Sequence, residues 1–314
     1  MNSIFKEPFN NLLTKNRTFI MGCAMIVVML FHQQFIVGNI LLNFFRLCGR
    51  WGVDIFLFVS GFGIVNSLHN NSIGKYYKNR INRLLVPCLL VGVCKCILVQ
   101  VGFISYTGFL LTLTNLGLWY IYAIIVYYVL APVFKLIVQK SQYAILYICV
   151  ICAILSLKQF EESFLYLIPK FRWLIERLPV FILGMHIAVY PPKTQIKNYL
   201  WGIIPFVLCM LLRMQKDYFI TYLILLLAVP MLCIISSLFA RILDKIKLRG
   251  VVEYFGKTSL ELYLWHEFIF LNVAKDAMFV ELHASAKFII AFAISILFAH
   301  LTYLLKKRIP FILK

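Results

Sequence analysis

Long runs of apolar residues set the strongest constraint on what this chain can fold into. A helix that crosses the hydrocarbon core of a bilayer needs about 20 mostly apolar residues. The 314-residue sequence offers many such runs, because 62% of it is hydrophobic and only 14% is charged, against about 25% charged residues in a soluble domain. The sequence therefore excludes a soluble globule and predicts an all-α fold, a polytopic integral membrane helical bundle.

Ten apolar windows predict about ten transmembrane helices with short loops between them. No repeat, Pro-rich linker or low-complexity segment divides the sequence, so we predict one membrane domain over residues 1–314. Three windows are shorter than about 17 residues and need tilt or flanking residues to span the bilayer. The predicted spans are 18–37, 51–68, 84–104, 117–137, 142–157, 178–190, 199–212, 218–240, 259–274 and 286–305.

The basic residues give these spans an orientation. The sequence has 31 Lys and Arg against 12 Asp and Glu, a net charge of +19, and the basic residues lie between the apolar runs. With a cytosolic N-terminus, the inner segments hold twice as many Lys and Arg as the outer ones, in agreement with the positive-inside rule. We therefore predict cytosolic N- and C-termini and assign the charge to the lipid bilayer, not to nucleic acid.

The nine cysteines are odd in number and lie mostly inside apolar runs, where thiols act as small hydrophobic side chains. Cys94 and Cys96 lack the CxxC spacing of a redox or zinc motif, and no pair of histidines lies near them in sequence to complete a zinc site. The sequence predicts no disulfide and no metal site.

Ionisable residues inside predicted spans are the first candidates for a functional site, because a charge at the bilayer centre costs at least about 2.5 kcal/mol. His32 lies toward the outer end of the first span and Asp54 near the outer start of the second, so they share a depth in the bilayer. A carboxylate beside an imidazole orients its tautomer and raises its basicity, as a general base requires. The pair predicts either a catalytic base with its acidic partner or a polar contact that joins two helices.

A basic cluster precedes the third span in the segment SIGKYYKNRINRLL. Arg80 and Arg83 are three residues apart, so on a helix they share one face and can bind phosphate oxygens in fork geometry. The alternative is an ordinary cytosolic anchor that contacts lipid headgroups.

Aromatic and basic residues also mark later spans. Trp119 and Tyr122 begin the fourth span, where aromatic side chains commonly form an interfacial belt. Arg177 precedes LPVFILGMHI, in which Pro179 and Gly184 allow a helix to start and pack closely. Taken alone, these features are structural.

Six segments, in order along the chain, resemble motifs of the acyltransferase family 3 membrane proteins. GCAMIVVMLFH is similar to the first-span motif that ends in the catalytic His, and WGVDIFLFVSGFGI is similar to GVDxFFxxSGF. YYKNRINRLLVP, LWYIYAIIVYYVLAP, RLPVFILGM and FGKTSLELYLWHEF are similar to the RxxR, WFxxxLxxYY, RxPxFxxG and GxxSxxxYLxH motifs. The likeness runs from about residue 18 to 305, and six motifs in the family's order make it specific.

The resemblance implies an enzyme of the bacterial inner membrane that acylates surface carbohydrates or other acceptors outside the cytoplasm. It implies that His32 is the catalytic histidine, that Asp54 is its acidic partner, and that Arg80 and Arg83 contact the phosphates of acyl-CoA. The residues implied at the acceptor, where aromatic rings can pack on sugars, are Trp119, Tyr122, Arg177 and His266.

One position departs from the family pattern. The family usually places Arg or Lys eleven residues before the catalytic His, where this chain has Met21. Arg17 lies one helical turn earlier on the same face, and we predict that its long side chain takes over this role toward acyl-CoA.

The predicted function is O-acyl transfer, with acetyl the commonest group in the family, from cytosolic acetyl-CoA to a sugar hydroxyl of an exported polysaccharide or glycolipid. His32 would remove the hydroxyl proton or accept the acyl group transiently, and Asp54 would stabilise the imidazolium. Two alternatives stay open. One is a transporter or flippase for a lipid-linked saccharide, with the polar residues along its path. The other is a catalytically lapsed scaffold that works with polysaccharide-assembly proteins.

Overall fold

The computed structural model describes residues 8–33, 35–36, 40–100, 115, 118–155, 171–191, 204, 218–275, 279 and 281–308, and this part of the chain is helical. The all-α prediction is confirmed for these residues. Their ten helices are α1 (Phe9–His32), α2 (Ile40–Asn70), α3 (Ile73–Gln100), α4 (Trp119–Lys140), α5 (Ala144–Leu155), α6 (Phe171–Val189), α7 (Tyr218–Lys245), α8 (Arg249–Lys257), α9 (Ser259–Lys275) and α10 (Ala284–Arg308).

Five segments of the described chain are long and apolar enough to cross a membrane, judged by length and composition. They support an integral membrane protein, whereas the count of ten spans and the cytosolic termini stay predictions. The predicted span at 199–212 lies outside the described residues except for Ile204. The five segments are Phe9–His32, Trp51–Asn70, Ile73–Leu98, Trp119–Lys140 and Ala284–Arg308.

The first span is predicted at 18–37, but α1 begins at Phe9 and ends at His32. The side chain of Gln33 explains this end. Its Nε2 donates to the Ile36 carbonyl at 3.2 Å, and its Oε1 accepts from the Ile36 backbone N–H at 3.1 Å. Such local bonds from side chain to backbone compete with helix formation, so the helix stops and His32 becomes its last residue.

The chain divides into two compact units. The first comprises Met1–Ile20, Asp54–Ile73 and Ala123–Arg249. The second comprises Met21–Val53, Gly74–Tyr122 and Gly250–Lys314. Each unit is built from segments that are distant in the sequence, so each has its own long-range contacts.

In the first unit, α2 and α6 meet backbone to backbone through two glycines. A Cβ on Gly61 would lie 2.1 Å from the Phe181 carbonyl oxygen, and a Cβ on Gly184 would lie 2.1 Å from the Phe58 carbonyl oxygen. Real Cβ atoms do not come this close to backbone, so both positions require glycine. Small residues of this kind let helices approach closely inside a membrane.

In the second unit, α9 and α10 form an antiparallel pair. Nζ of Lys306 donates to Oε1 of Glu261 at 2.7 Å, and Nε1 of Trp265 donates to Oγ1 of Thr302 at 2.9 Å. Residues later in α9 contact residues earlier in α10, which sets the antiparallel direction. These hydrogen bonds satisfy buried polar groups and fix the turn of α9 that precedes His266.

The short helix α8 is missing from the predicted spans, because residues 241–257 carry five Lys and Arg and were expected to form a cytosolic connection. A nine-residue helix is marginal alone and depends on packing. Gly22 of α1 provides the contact, since a Cβ there would lie 1.9 Å from the Val252 carbonyl oxygen. Hydropathy does not detect a helix that forms in this way.

A hydrogen bond joins α8 to α10 in the same unit. Oη of Tyr254 lies 2.5 Å from Nδ1 of His300. Burial, with Tyr303 and Glu261 nearby, raises the pKa of Tyr254. The phenol therefore keeps its proton over the physiological range.

Candidate active site

His32 is the last residue of α1, and the turn of helix before it holds its ring. Nδ1 lies 3.0 Å from the Val28 carbonyl oxygen, and the ring meets Phe31 edge-on with centroids 4.8 Å apart. Gly52 of α2 permits the close packing of this turn, because a Cβ there would lie 2.6 Å from both the Ala24 carbonyl oxygen and Cγ2 of Val28. The His32 ring is half-buried, so it is held in place but stays accessible.

A second histidine, His266 of α9, lies against His32. Its Nε2 atom is 3.2 Å from Nδ1 of His32, and the ring centroids are 4.7 Å apart with an interplanar angle of 75°. Its Nδ1 atom faces two backbone carbonyls, 2.8 Å from the Tyr263 oxygen and 3.1 Å from the Leu262 oxygen. His266 is fully buried, so its polar contacts are made inside the protein.

These contacts assign one proton to each ring of the neutral pair. Nδ1 of His266 must carry a hydrogen, because both of its neighbours are carbonyl oxygens that only accept. Nδ1 of His32 must carry one as well, since the Val28 oxygen also only accepts. Nε2 of His266 then accepts from Nδ1 of His32, and the hydrogen-bond network leaves the lone pair of His32 on Nε2.

An imidazole held in this tautomer can act as a base or as a nucleophile through Nε2. When Nε2 of His32 gains a proton, Nε2 of His266 and the Val28 carbonyl both face the cationic ring and stabilise it. The C-terminal end of α1 adds the negative end of the helix dipole. The arrangement can therefore take a proton from a hydroxyl and return it, as general acid–base catalysis requires.

A buried cation lies in the same unit. The Lys95 ammonium of α3 donates to Oδ1 of Asn115 at 2.7 Å and lies 5.1 Å from the centroid of the Phe268 ring. Nδ2 of Asn115 donates in turn to the Cys88 carbonyl at 2.7 Å. The charged hydrogen bond and the cation–π contact offset the cost of burying the charge.

In the first unit, Asp54 of α2 and Arg177 of α6 form a buried ion pair. Nη1 of Arg177 donates to Oδ1 of Asp54, and the two side chains are 1% and 0% exposed. The contact through Gly61 and Gly184 brings the two helices close together. The structure thus gives Asp54 an arginine partner and His32 a histidine partner, and the prediction that Asp54 supports His32 stays a prediction.

A comparison with protein families adds the identity of the chain. The family model described as an acyltransferase domain matches residues 20–304. The chain belongs to acyltransferase family 3. The membership predicted from six motifs is thereby confirmed. Comparisons with curated proteins and with solved structures found no match.

The three arginines predicted to contact acyl-CoA lie on two helices. Arg80 and Arg83 lie on α3, although the third span is predicted to begin only at residue 84, and the Arg80 guanidinium lies 5.4 Å from the centroid of the Tyr76 ring. Arg17 lies on α1 beside Gly63 of α2, where a Cβ would be 3.0 Å from its Nη2. Their roles toward acyl-CoA stay predictions.

Three aromatic residues form a chain of ring contacts that reaches His266. Trp119 and Tyr120 have centroids 6.3 Å apart, Tyr120 and Tyr263 are 4.9 Å apart, and Tyr263 and His266 are 5.2 Å apart. Tyr122 is half-buried on α4. The acceptor residues predicted from the sequence do not include Tyr120 and Tyr263, although both lie inside segments that resemble family motifs.

A metal site is a separate question. In the part of the chain that the structure describes, no group of three or more His, Cys, Asp or Glu side chains could hold a metal ion.

Proposed function

We propose that this chain is an O-acyltransferase of the bacterial inner membrane that moves an acyl group, specifically acetyl, from cytosolic acyl-CoA to a sugar hydroxyl of an exported polysaccharide or glycolipid. The family supports the reaction class, and the five apolar helices support a membrane setting. The observation that carries the proposal is the 3.2 Å contact between Nε2 of His266 and Nδ1 of His32, because it leaves Nε2 of His32 free to act as the base.

The proposed reaction moves one proton and exchanges one acyl bond. Nε2 of His32 takes the proton of the sugar hydroxyl as the hydroxyl oxygen attacks the acyl carbonyl carbon of the thioester. The C–S bond breaks, and the imidazolium returns the proton to the CoA thiolate, so CoA leaves as a thiol and His32 is regenerated. A transient acyl-His32 is the alternative route, and it uses the same lone pair and the same contact with His266.

The remaining residues have supporting roles in this proposal. The resemblance implies that His266 binds the acceptor, but its contacts favour a positioning role exerted through His32. Asp54 is the proposed acidic support of the imidazolium. Arg80, Arg83 and Arg17 are the proposed contacts to the phosphates of acyl-CoA. The proposed contacts to the acceptor are Trp119, Tyr122 and Arg177.

The test uses the full-length protein in nanodiscs with acetyl-CoA and an oligosaccharide acceptor, and a thiol reagent follows the release of CoA. We expect His32→Ala to slow the release by roughly 10²–10⁴-fold without a change in membrane insertion or melting temperature. His69→Ala is the matched control, because His69 is an exposed histidine in the last turn of α2. A folded His32→Ala protein with full activity would overturn the proposal.

Release of CoA also separates the enzyme from its rivals, since neither a saccharide transporter nor an assembly scaffold produces free CoA. In cells, the base-labile O-acetyl signals of the surface polysaccharide in NMR spectra should disappear on deletion of the gene. They should return with the wild-type gene and stay absent with His32→Ala. If the acetyl pattern stays constant while glycan export falls, the protein is a transporter and the proposed enzymatic function is wrong.

A further inference from the structure

A basic cavity opens in the first unit. Its six lining residues are not among those assigned to acyl transfer, although two of them, Lys15 and Asn16, directly precede Arg17 in the sequence. Its volume is about 460 Å³, within the range of roughly 300–1,000 Å³ that is usual for small-ligand sites. Four of its six lining side chains are basic and one is acidic, so the cavity favours an anion. The lining residues are Lys15 and Asn16 of α1, Arg241, Asp244 and Lys245 of α7, and Arg249 of α8.

The end of α7 shapes this cavity. The backbone N–H of Leu248 donates to the Leu243 carbonyl at 2.9 Å, and that of Lys247 donates to the Asp244 carbonyl at 3.2 Å. These are the two bonds of a Schellman motif, which needs a left-handed residue at the position of Lys247, and Lys247 has a φ of 59°. The chain turns back, so that Nη1 of Arg249 lies 4.0 Å from Oδ2 of Asp244.

The guanidinium of Arg249 is oriented from a second side as well. Its Nη2 donates to Oδ1 of Asn16 at 3.3 Å. Asn16 is buried, and its own Nδ2 donates to the Leu12 carbonyl at 3.2 Å. A side chain that is held in this way before a ligand arrives loses less conformational freedom on binding.

We propose that this cavity is a binding site for a phosphate ester. Guanidinium groups bind two phosphate oxygens in bidentate geometry, and the ammonium groups of Lys15 and Lys245 add point charges. The predicted topology places residues 1–17 and 241–257 on the cytosolic side. Two ligands with this chemistry reach that side, the nucleotide part of CoA and the headgroup of an anionic phospholipid. The proposal rests on the cavity and on the predicted topology, and it does not require the acyl-transfer mechanism proposed for His32.

The experiment uses the full-length protein in two arms. In the first arm, CoA is titrated calorimetrically into protein held in nanodiscs of phosphatidylcholine, which supply no anionic lipid. In the second arm, the nanodiscs also contain phosphatidylglycerol, and native mass spectrometry counts the phosphatidylglycerol molecules that stay bound to the protein. The two arms distinguish a nucleotide site from a lipid site.

Substitutions of the cavity's lining residues should change the affinity for the bound phosphate ester. Arg249→Gln and Lys245→Gln each remove a charged hydrogen-bond donor and should weaken binding by roughly tenfold or more. Lys140→Gln is the matched control for Lys245→Gln, because both residues are exposed lysines at the last position of a helix and Lys140 does not line the cavity. Asp244→Asn removes the negative charge, so binding should tighten severalfold, a gain that misfolding cannot produce.

Either arm can support the site. Loss of CoA binding in Arg249→Gln and Lys245→Gln identifies a nucleotide site, and loss of bound phosphatidylglycerol identifies a lipid site. The proposal is wrong if these variants bind both probes as the Lys140→Gln protein does and Asp244→Asn brings no gain.

Discussion

Nε2 of His266 lies 3.2 Å from Nδ1 of His32, so a second imidazole orients the ring proposed to act as base. A neutral imidazole can accept the Nδ1 hydrogen as a carboxylate does, but it does not place an anion in apolar surroundings, where an unpaired charge is costly. The two backbone carbonyls at Nδ1 of His266 complete the arrangement, because they fix which nitrogen of His266 accepts.

Substitution of His266 tests this orientation. In His266→Gln the amide oxygen can still accept from Nδ1 of His32, whereas His266→Leu offers no acceptor. We expect His266→Leu to lower kcat by roughly 10²-fold or more and His266→Gln to recover most of that loss. KM for acetyl-CoA should stay near the wild-type value in both, since His266 acts through His32. If the Gln and Leu variants are equally impaired, or if only KM changes, the positioning role is wrong.

Substitutions in the Asp54–Arg177 ion pair distinguish a role in folding from a role in catalysis. Asp54→Leu or Arg177→Leu alone leaves a buried charge and should cost about 3–5 kcal/mol, measured as a lower melting temperature and folded yield. The double variant buries neither charge and should regain most of the stability. We expect it to remain far less active than the wild type in CoA release, because Asp54 is the proposed support of the imidazolium. Wild-type activity in a stable double variant would show that Asp54 stabilises the fold and takes no part in catalysis.

The glycine contact between α2 and α6 makes the first unit sensitive to a single methyl group. Gly61→Ala or Gly184→Ala places a Cβ 2.1 Å from a carbonyl oxygen, so the helices must separate, and we expect a loss of at least about 2 kcal/mol. Gly74→Ala is the matched control, because nothing lies within 4 Å of its Cβ and alanine should stabilise α3 by up to about 1 kcal/mol. Thermal unfolding curves of the three variants, recorded in the same detergent, compare their stabilities. Similar curves for Gly61→Ala and Gly74→Ala would contradict the close approach.

The Lys95–Asn115 hydrogen bond should appear as a coupling energy. Asn115 has a φ of 56°, so Asn115→Gly keeps the backbone relaxed. It removes the acceptor at 2.7 Å from Nζ of Lys95 and also the donor to the Cys88 carbonyl, and the cycle isolates the first of these two losses. A double-mutant cycle with Lys95→Met should give a coupling energy of about 1.5–3 kcal/mol, which is the range for hydrogen bonds to charged groups. Unfolding in urea, followed by tryptophan fluorescence, measures the four proteins. A coupling near zero would mean that the hydrogen bond does not stabilise the fold.

The left-handed residue after α7 offers a stabilising change. Lys247→Gly and Lys247→Ala remove the same charge, but only glycine adopts a φ near 59° without steric cost. We expect the glycine variant to be more stable than the alanine variant by about 1 kcal/mol, seen as a higher melting temperature. The reverse order would show that the Schellman turn is not formed in the protein in solution.

Sequence reasoning placed a helix well where a long apolar run lies between basic residues, as in α10, which is predicted at 286–305 and observed at Ala284–Arg308. The third span is predicted at 84–104, but α3 begins at Ile73 and includes the basic cluster. It misplaced the end of the first span because the hydrogen bonds of Gln33 end α1, and hydropathy carries no information on them. It missed α8 because that helix depends on the contact at Gly22, which is 230 positions from Val252 in sequence.

The candidate site shows the same limit. His32 and Lys95 are both ionisable residues within an apolar run, but their partners could not be predicted from the pattern. His32 and Asp54 were expected to be partners because they lie at a similar depth on consecutive spans. The observed partner of His32 is His266, which is 234 positions away in the sequence. Asn115 lies in a predicted loop, and an asparagine in a loop does not indicate a buried hydrogen bond.

The separation of the two histidines also sets an order of events during synthesis. A ribosome that adds about 5–20 residues per second needs roughly 10–50 s to pass from His32 to His266, and the partners that fix α9, Thr302 and Lys306, follow later still. Under the proposed mechanism, the nascent chain holds its reactive imidazole in the membrane for that interval without the ring that selects its tautomer. Catalysis would therefore begin only when translation has delivered α9 and α10, so partly made chains consume no acyl-CoA.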